Sequence, residues 1–350
     1  MIEYLQAFIA QRATNPLLNI VLILVQIAVV IGIGLLHVAY ATYWERKVIA
    51  HMQVRLGPRE VGPYGLFQPF ADGIKLFFKE DIIPANADKP LFYLAPVIFF
   101  VSAITSLSVI PFFHHFVIAD INVGLLFLFA MSSLGAYGLI LSGWASNSKY
   151  AFLGGLRSAS QVISYEIAMG LSLVGVMMMA GTLNLSEIVL AQNQYPTGIS
   201  AIPQFLGFFI FVVSAFAETN RLPFDLPEAE SELVAGYLTE YSGFRFALFF
   251  LGEYTGMLVM SSICTVCFLG GWTLPRFITD ILPFLLYVPG IVWFLVKVYA
   301  CMFFYYWVRA TLPRYRYDQL MAIGWKILIP LALLNIVVTG MIKVWVKGLL

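Results

Sequence analysis

The polar segment between residues 217 and 232 concentrates the acidic side chains best suited to handling protons. It carries five acids and one arginine, and Glu240 follows a few residues later. Glu228 and Glu232 are four residues apart, so on a helix they share a face and repel each other. Carboxylates this close raise one another's pKa and titrate as a coupled set, which lets them hold and pass protons near neutral pH. A solvated acidic loop is the simpler alternative, but two prolines restrain this segment.

Three further ionisable residues stand inside long apolar runs: Glu166, Glu253 and Lys297. At a helical rise of 1.5 Å per residue, the two glutamates lie about 12–14 Å from the arginine that precedes each of them. Lys297 lies about 18 Å from Arg309 by the same measure, near the middle of a membrane. Ionisable residues at such depth are costly and usually functional. With Glu218, the two glutamates outline a polar path into the membrane, and Lys297 is either a relay on it, which we favour, or the partner of a carboxylate.

The elements that position these residues are transmembrane helices. Hydrophobic residues make up 61% of the 350, charged residues 11%, and the mean hydropathy is +0.87. Soluble domains are typically about one-quarter charged, so the composition indicates an all-α, polytopic membrane protein. A net charge of +1 argues against a nucleic-acid partner. Cys264 and Cys267 have metal-site spacing but lie in an apolar run without a second ligand pair, so we expect no metal site.

About eight apolar runs are long enough to cross a bilayer, which needs about 20 residues. They predict one integral membrane domain over residues 1–350, with spans at 17–43, 91–111, 121–144, 159–180, 203–219, 246–271, 281–308 and 325–345. Of the 20 lysines and arginines, fifteen fall in one set of loops and four in the other. By the positive-inside rule, the richer loops face the cytoplasm and both termini face outward.

The first cytoplasmic loop contains an amphipathic segment over residues 66–79, after two Gly-Pro turns. Leu66, Phe70, Ile74 and Phe77 fall on one helical face, and polar residues fall on the other. We therefore predict a helix lying in the membrane interface. It is either a surface anchor or an entrance for a lipid-soluble ligand such as a quinone, whose tail needs an apolar surface and whose head needs polar groups.

Polar motifs are spread from Trp44 to Ile329, in the loops and at the helix ends. They include Glu45-Arg46-Lys47, Arg55-x-Gly57-Pro58, Ala71-Asp72-x-x-Lys75-Leu76, Gly143-Trp144-x-Ser146-Asn147, Leu156-Arg157-x-x-x-Gln161, the 217–232 segment and Arg309-Ala310-x-x-Pro313-Arg314. In this order they resemble a family of membrane subunits of complex I, the proton-pumping NADH:quinone oxidoreductase. Its members are known as the H subunit in bacteria and as subunit 1 in mitochondria.

The resemblance implies a role for each group of residues. The quinone-binding region would comprise Glu45, Arg46, Arg55, Asp72, Lys75, Arg221 and Phe224. The proton path would comprise Glu166, Glu218, Glu228, Glu230, Glu232, Glu240 and Glu253, to which we add Lys297. No cofactor is expected on this chain, since it lacks a nucleotide fingerprint and a cysteine cluster.

The resemblance also implies an assembly. Quinone would be the substrate, while NADH, FMN and the iron–sulfur clusters would be bound by other complex I subunits. Those partners would be the cluster-bearing and quinone-chamber subunits of the hydrophilic arm, small membrane subunits and antiporter-like subunits. The location would be the bacterial inner membrane.

Three alternatives stay open on the sequence. A secondary ion transporter could use buried acids as ion sites, although the inverted repeats and broken spans of such proteins are not evident. A homologous anchor subunit of a membrane hydrogenase, or a ferredoxin-fed relative of complex I, would retain much of the same scaffold. The complete polar loop over residues 45–80 favours quinone.

Overall fold

The computed structural model describes residues 16–114, 116–195, 197–225 and 234–348. Within these ranges the chain is helical and forms no β-strand beyond an isolated bridge between Phe113 and Phe116. The α-helices are α1 (Pro16–Met52), α2 (Gln68–Phe78), α3 (Lys89–Ser106), α4 (Gly124–Ala145), α5 (Lys149–Ala180), α6 (Leu185–Gln192), α7 (Phe205–Glu218), α8 (Gly243–Cys267), α9 (Arg276–Ile281), α10 (Gly290–Thr311), α11 (Tyr317–Ala322) and α12 (Ile329–Gly348).

The described residues contain seven helical segments that are long and apolar enough to cross a membrane. Six of them contain α1, α3, α4, α5, α8 and α10, and the seventh runs from α11 through a π-helical turn into α12. The shorter apolar helix α7 lies at the fifth expected span, 203–219. The predicted all-α, polytopic membrane architecture is confirmed.

Three helix boundaries differ from the predicted spans, because polar turns continue two helices beyond the apolar runs and a third helix begins later. The first helix continues to Met52, so Glu45 and Arg46 lie on α1 and not after it. The fourth begins at Lys149, ten residues earlier than expected. The seventh begins at Gly290, and its first expected residues form a separate short turn over Pro283–Tyr287.

The predicted amphipathic helix is present as α2. Its second residue is Pro69, whose restricted φ suits a first helical turn. The predicted apolar face is exposed on this chain: Ile74 is 61% exposed and Phe77 70%. An exposed aromatic and aliphatic face next to a bundle of membrane helices fits a helix that lies in the bilayer interface.

Small residues let the helices α3, α4 and α5 approach closely. A Cβ atom on Gly143 would come within 2.7 Å of the Ala151 carbonyl oxygen, and one on Gly155 within 3.0 Å of the Leu139 carbonyl oxygen. In lipid, where apolar surface alone does not drive helices together, such close packing is a main source of association. The tight α4–α5 contact fixes the face of α4 that meets the acidic side chains described below.

Charged residues near the helix ends form two separate groups at opposite ends of the bundle. One end holds the ion pairs Arg46–Asp72, Arg245–Asp81 and Arg314–Asp225. At the other end, Lys343 donates to the Met178 carbonyl and Arg276 to that of Asn193. This separation agrees with the two sets of loops expected from the sequence. Which end faces the cytoplasm stays a prediction.

Candidate functional site

A cluster of four charged side chains lies buried among α1, α8, α10 and the segment that follows α7. Arg221 is at its centre: Nη1 is 3.2 Å from Glu45 Oε1, and Nε is 2.6 Å from Glu253 Oε1. Arg309 donates to the same oxygen of Glu45. The Tyr254 hydroxyl donates to Glu45 Oε2 at 2.8 Å. Residues from four parts of the chain therefore meet at one polar centre.

The cluster is electrically balanced, with two carboxylates and two guanidinium groups. Three of its side chains are buried or nearly so, at 4% exposed for Glu45, 7% for Arg221 and 14% for Glu253, while Arg309 at the edge is 31% exposed. Removing ions from water is costly unless they are paired and hydrogen-bonded, and here each has an oppositely charged partner. Although burial disfavours its charged form, Glu253 and Glu45 hold the pKa of Arg221 above its ordinary value. Its guanidinium group also lies 4.3 Å from the centre of the Tyr254 ring. Arg221 is therefore a permanent charge between two acids.

A cavity of about 80 Å³ adjoins the cluster on the side of Glu253. Ser132, Glu218, Thr219 and Asn220 also line it, among many apolar side chains. Glu218 Oε2 and Asn220 Oδ1 are buried without a hydrogen-bond partner among the described residues. A site needs roughly 10–15 Å³ accessible to the centre of a water molecule to hold one, together with polar partners. The cavity meets both conditions and has room for several water molecules.

The two other predicted acids of the membrane region lie near this cavity. The Ser132 hydroxyl donates to Glu218 Oε1, and the Ser133 hydroxyl donates to Glu166 Oε1 at 2.5 Å. Since the two serines are adjacent on α4, Glu166 and Glu218 are held near each other. The structure thus brings together the three acids that the sequence suggested as a path, Glu166, Glu218 and Glu253.

The polar side of α2 meets the exposed end of α1. Arg46 Nη1 is 2.8 Å from Asp72 Oδ2, and Lys75 Nζ is 3.8 Å from Asp72 Oδ1. Gln68 donates to Asp72 Oδ1, the oxygen that Lys75 also contacts. Arg46 is 53% exposed, whereas its neighbour Glu45 is buried in the ionic cluster. The adjacent residues Arg46 and Glu45 of α1 therefore connect the exposed surface of α2 with the buried ionic cluster.

Two other predicted quinone-region residues lie apart from these contacts. Phe224 is buried, with its ring centre 5.6 Å from that of Tyr165 and 5.6 Å from that of Tyr315. Its carbonyl accepts a hydrogen bond from Gln161. Arg55 is exposed in the loop after α1. The geometry gives Phe224 a packing role and leaves Arg55 accessible at the surface.

Lys297 lies away from the acids. Its ammonium group donates to the carbonyl oxygens of Leu269 at 2.6 Å and Gly271 at 3.0 Å, and also to that of Thr273, beyond the end of α8. Glu253 precedes the last residue of α8 by fourteen positions, which is about 21 Å along a helix. No ion pair of Lys297 occurs within the described residues. The backbone carbonyls satisfy this buried cation.

Four further acids were predicted for the proton path. Glu228, Glu230 and Glu232 lie outside the described residues. Glu240 is partly buried just before α8 and forms no ion pair in the part of the chain that the structure describes. The acids that form a site are therefore those on α1, α5, α7 and α8.

Sequence reasoning did not identify four residues of the site. Arg309 was named as part of a family motif and as a topology signal but not as a site residue, and Tyr254 follows Glu253 but has no distinctive motif. Ser132 and Ser133 were part of an apolar run. Sequence separations of 209 and 264 residues join Tyr254 and Arg309 to Glu45, so no local spacing indicates these contacts. An arginine at the end of an apolar helix was the one available signal.

The fold and this site define a polytopic membrane protein with a buried ionic cluster beside a polar cavity. The sequence model of the NADH dehydrogenase family matches residues 25–340. Proteins named as the H subunit of NADH-quinone oxidoreductase are also similar. The one from Rhodospirillum rubrum is 58% identical over 304 residues, covering 87% of this chain and 88% of the relative.

Similarity of this extent recurs in other bacteria. The relative of the same name from Paramagnetospirillum magneticum is 53% identical, covering 92% of each chain. That of Rickettsia typhi is 56% identical, covering 90% of this chain and 91% of the relative. The chain belongs to the family of NADH-quinone oxidoreductase H subunits.

Proposed function

We propose that this chain forms the quinone entrance and part of the quinone chamber of a proton-translocating NADH:quinone oxidoreductase, and couples quinone reduction to proton movement. The observation that carries the proposal is the buried ionic cluster. It is continuous with the exposed Arg46 on one side, through Glu45, and with a cavity on the other, through Glu253. Such a cluster is costly to build in a membrane and is typical of a functional pathway.

The surface formed by α2 and the end of α1 suits a lipid-soluble substrate. Phe70 and Phe77 are 47% and 70% exposed, and Arg46 and Asp72 lie beside them. A quinone tail is accommodated by apolar side chains, and its head requires a few fixed hydrogen-bonding groups. The surface offers both next to the membrane helices. We therefore assign the entrance to this surface, with Lys75 at its rim, and keep Arg55, exposed in the loop after α1, as a further candidate.

The coupling follows from charge. Reduction of a quinone takes up two electrons and two protons and gives a quinol. Until the protons arrive, the added negative charge acts on the nearest charged groups, and Glu45 and Arg221 are at the inner end of the entrance. Because Arg221 binds both Glu45 and Glu253, a change at one carboxylate alters the binding of the other. The cavity then gives the proton a polar route from Glu253 to Glu218.

The chain acts as one subunit of a larger enzyme. NADH, FMN and iron–sulfur clusters belong to hydrophilic partner subunits, and antiporter-like and small membrane subunits adjoin it in the bilayer. Named relatives from bacteria favour the bacterial inner membrane. This chain contributes quinone contacts and a proton path, and it binds no cofactor by itself.

Replacing Arg46 tests the entrance. In membranes containing the assembled complex, Arg46→Ala lowers NADH:quinone turnover but preserves NADH oxidation by a hydrophilic artificial acceptor, because that reaction does not require the quinone surface. Lys326→Ala, which changes an exposed cation on the last membrane segment, is the control and preserves both activities. An equal loss of both activities in Arg46→Ala, with normal assembly, would place the lesion elsewhere.

A further inference from the structure

Two consecutive serines on α4 bind two different partly buried acids. The Ser132 hydroxyl donates to Glu218 Oε1, and the Ser133 hydroxyl donates to Glu166 Oε1 at 2.5 Å. Glu218 is the last residue of α7, and Glu166 lies midway along α5. Acids from two helices are therefore held by one turn of a third.

These serines differ from the other serines of neighbouring apolar helices. A hydroxyl within a helix commonly donates to a carbonyl of its own helix, three or four residues earlier. Ser102 does so to Phe99 at 2.9 Å, and Ser142 to Leu139 at 2.7 Å. Ser132 and Ser133 instead direct their hydroxyls to carboxylates on other helices. Their hydrogen bonds therefore serve the acids and do not serve α4.

The contacts distinguish the two oxygens of the Glu218 carboxylate. Oε1 is bound by Ser132, whereas Oε2 is buried without a hydrogen-bond partner among the described residues. Glu218 and Ser132 both line the cavity that reaches Glu253. The oxygen that is free to exchange a proton is thus Oε2. A bound hydroxyl keeps the carboxyl group from rotating and exchanging the roles of its oxygens.

We propose that Ser132 and Ser133 are positioning residues for proton exchange at Glu218 and Glu166. In the exchange at Glu218, an O–H bond forms at Oε2 while the corresponding O–H bond of the donor, a water or another carboxyl group, breaks. The serine keeps its own proton and holds Oε1 throughout. This inference rests on the proposed proton path and adds the groups that orient its acids.

The test uses the assembled complex in membrane vesicles, with turnover and proton pumping measured together. Because the hydrogen bond to the Glu218 carboxyl group is lost, Ser132→Ala lowers both rates by about tenfold or more. Ser132→Thr, which retains a hydroxyl, restores most of the loss. Ser142→Ala is the matched control: this serine is on the same helix but donates to the Leu139 carbonyl and does not line the cavity, so rates stay within about twofold.

Infrared difference spectra separate orientation from packing. Loss of the hydroxyl raises the C=O stretching frequency of the protonated Glu218 carboxyl group, and Ser132→Thr returns it towards the parent value. A slow Ser132→Ala complex with an unshifted band, or one that threonine does not restore, overturns the proposal. Ser132→Cys, which is close in size but a weak donor, replaces alanine if that complex fails to assemble.

Two further variants show which proposal has failed. Normal rates in Ser132→Ala and Ser133→Ala, with low rates in Glu218→Gln, refute the role of the serines and leave the proton path standing. Normal rates in both Glu218→Gln and Glu166→Gln refute the path itself.

Discussion

Glu253→Gln tests whether the ionic cluster transmits the effect of quinone reduction. The substitution preserves shape but removes one of two negative charges that balance Arg221 and Arg309. Glu253 Oε1 is 2.6 Å from Arg221 Nε, and the glutamate side chain is only 14% exposed. A buried hydrogen bond to a charged group is worth roughly 1.5–3 kcal/mol and a neutral one 0.5–1.5, while breaking a buried ion pair costs about 3–5 kcal/mol.

Because the amide oxygen of glutamine still contacts Arg221, we expect a cost below that of a broken buried ion pair, about 2–3 kcal/mol. If this cost enters the rate-limiting step, it slows turnover by roughly 30- to 150-fold, at tenfold for every 1.36 kcal/mol. Inverted membrane vesicles report quinone reductase activity and proton pumping in one sample, and a native gel reports assembly. Both activities fall together.

The control for this variant is Glu187→Gln. Glu187 is exposed in the first turn of α6, and its carboxylate accepts a bond from Thr182, away from the cluster. We expect its turnover and pumping to match the parent protein. Unchanged turnover in Glu253→Gln, with an unchanged number of protons per electron, would refute the reasoning and reduce Glu253 to a structural residue.

Three other predictions follow from the fold and the cluster. A cysteine introduced at position 60 reacts with a membrane-impermeant reagent from the cytoplasmic side alone, and outward labelling would reverse the topology. Lys297→Met lowers the yield of assembled complex, because three backbone carbonyls lose their hydrogen-bond donor. The number of protons pumped per electron stays unchanged, and a lower number would make Lys297 a relay. Gly143→Val prevents assembly, measured on native gels, because a Cβ atom there meets a carbonyl oxygen at 2.7 Å; full assembly would contradict the tight α4–α5 contact.

The membrane architecture was predictable because each span is a local property of the sequence. Long apolar runs located the seven membrane-crossing segments of the described residues and the shorter helix α7, and the alternation of polar and apolar residues located α2. Their ends were less accessible, since helices continue through polar turns when tertiary contacts stabilise them. Glu45 illustrates this: it follows the apolar run, yet α1 carries it into the buried cluster.

The candidate site was predictable only in part, for a similar reason. Depth within an apolar run indicated Glu166 and Glu253 as unusual acids, and the structure places Glu253 in the ionic cluster and Glu166 against Ser133. It could not show that Arg221 lies between Glu45 and Glu253, because that arrangement depends on contacts between distant segments. Depth suggested Lys297 as a relay on that path or as the partner of a carboxylate, and it did not indicate that backbone carbonyls beyond α8 accept hydrogen bonds from the ammonium group. An ionisable residue in a membrane protein can be satisfied by the main chain, and sequence alone does not show this.

The position of Arg221 between two carboxylates has a thermodynamic consequence. One guanidinium group contacts both carboxylates, so a change of charge near Glu45 and the protonation of Glu253 affect each other. By thermodynamic reciprocity, each changes the free energy of the other by the same amount. Such linkage has no preferred direction. An assembled enzyme with this cluster would let a proton gradient alter quinone affinity as readily as quinone alters proton binding. A sufficient gradient would therefore favour quinol oxidation, and the same residues would serve the enzyme running in reverse.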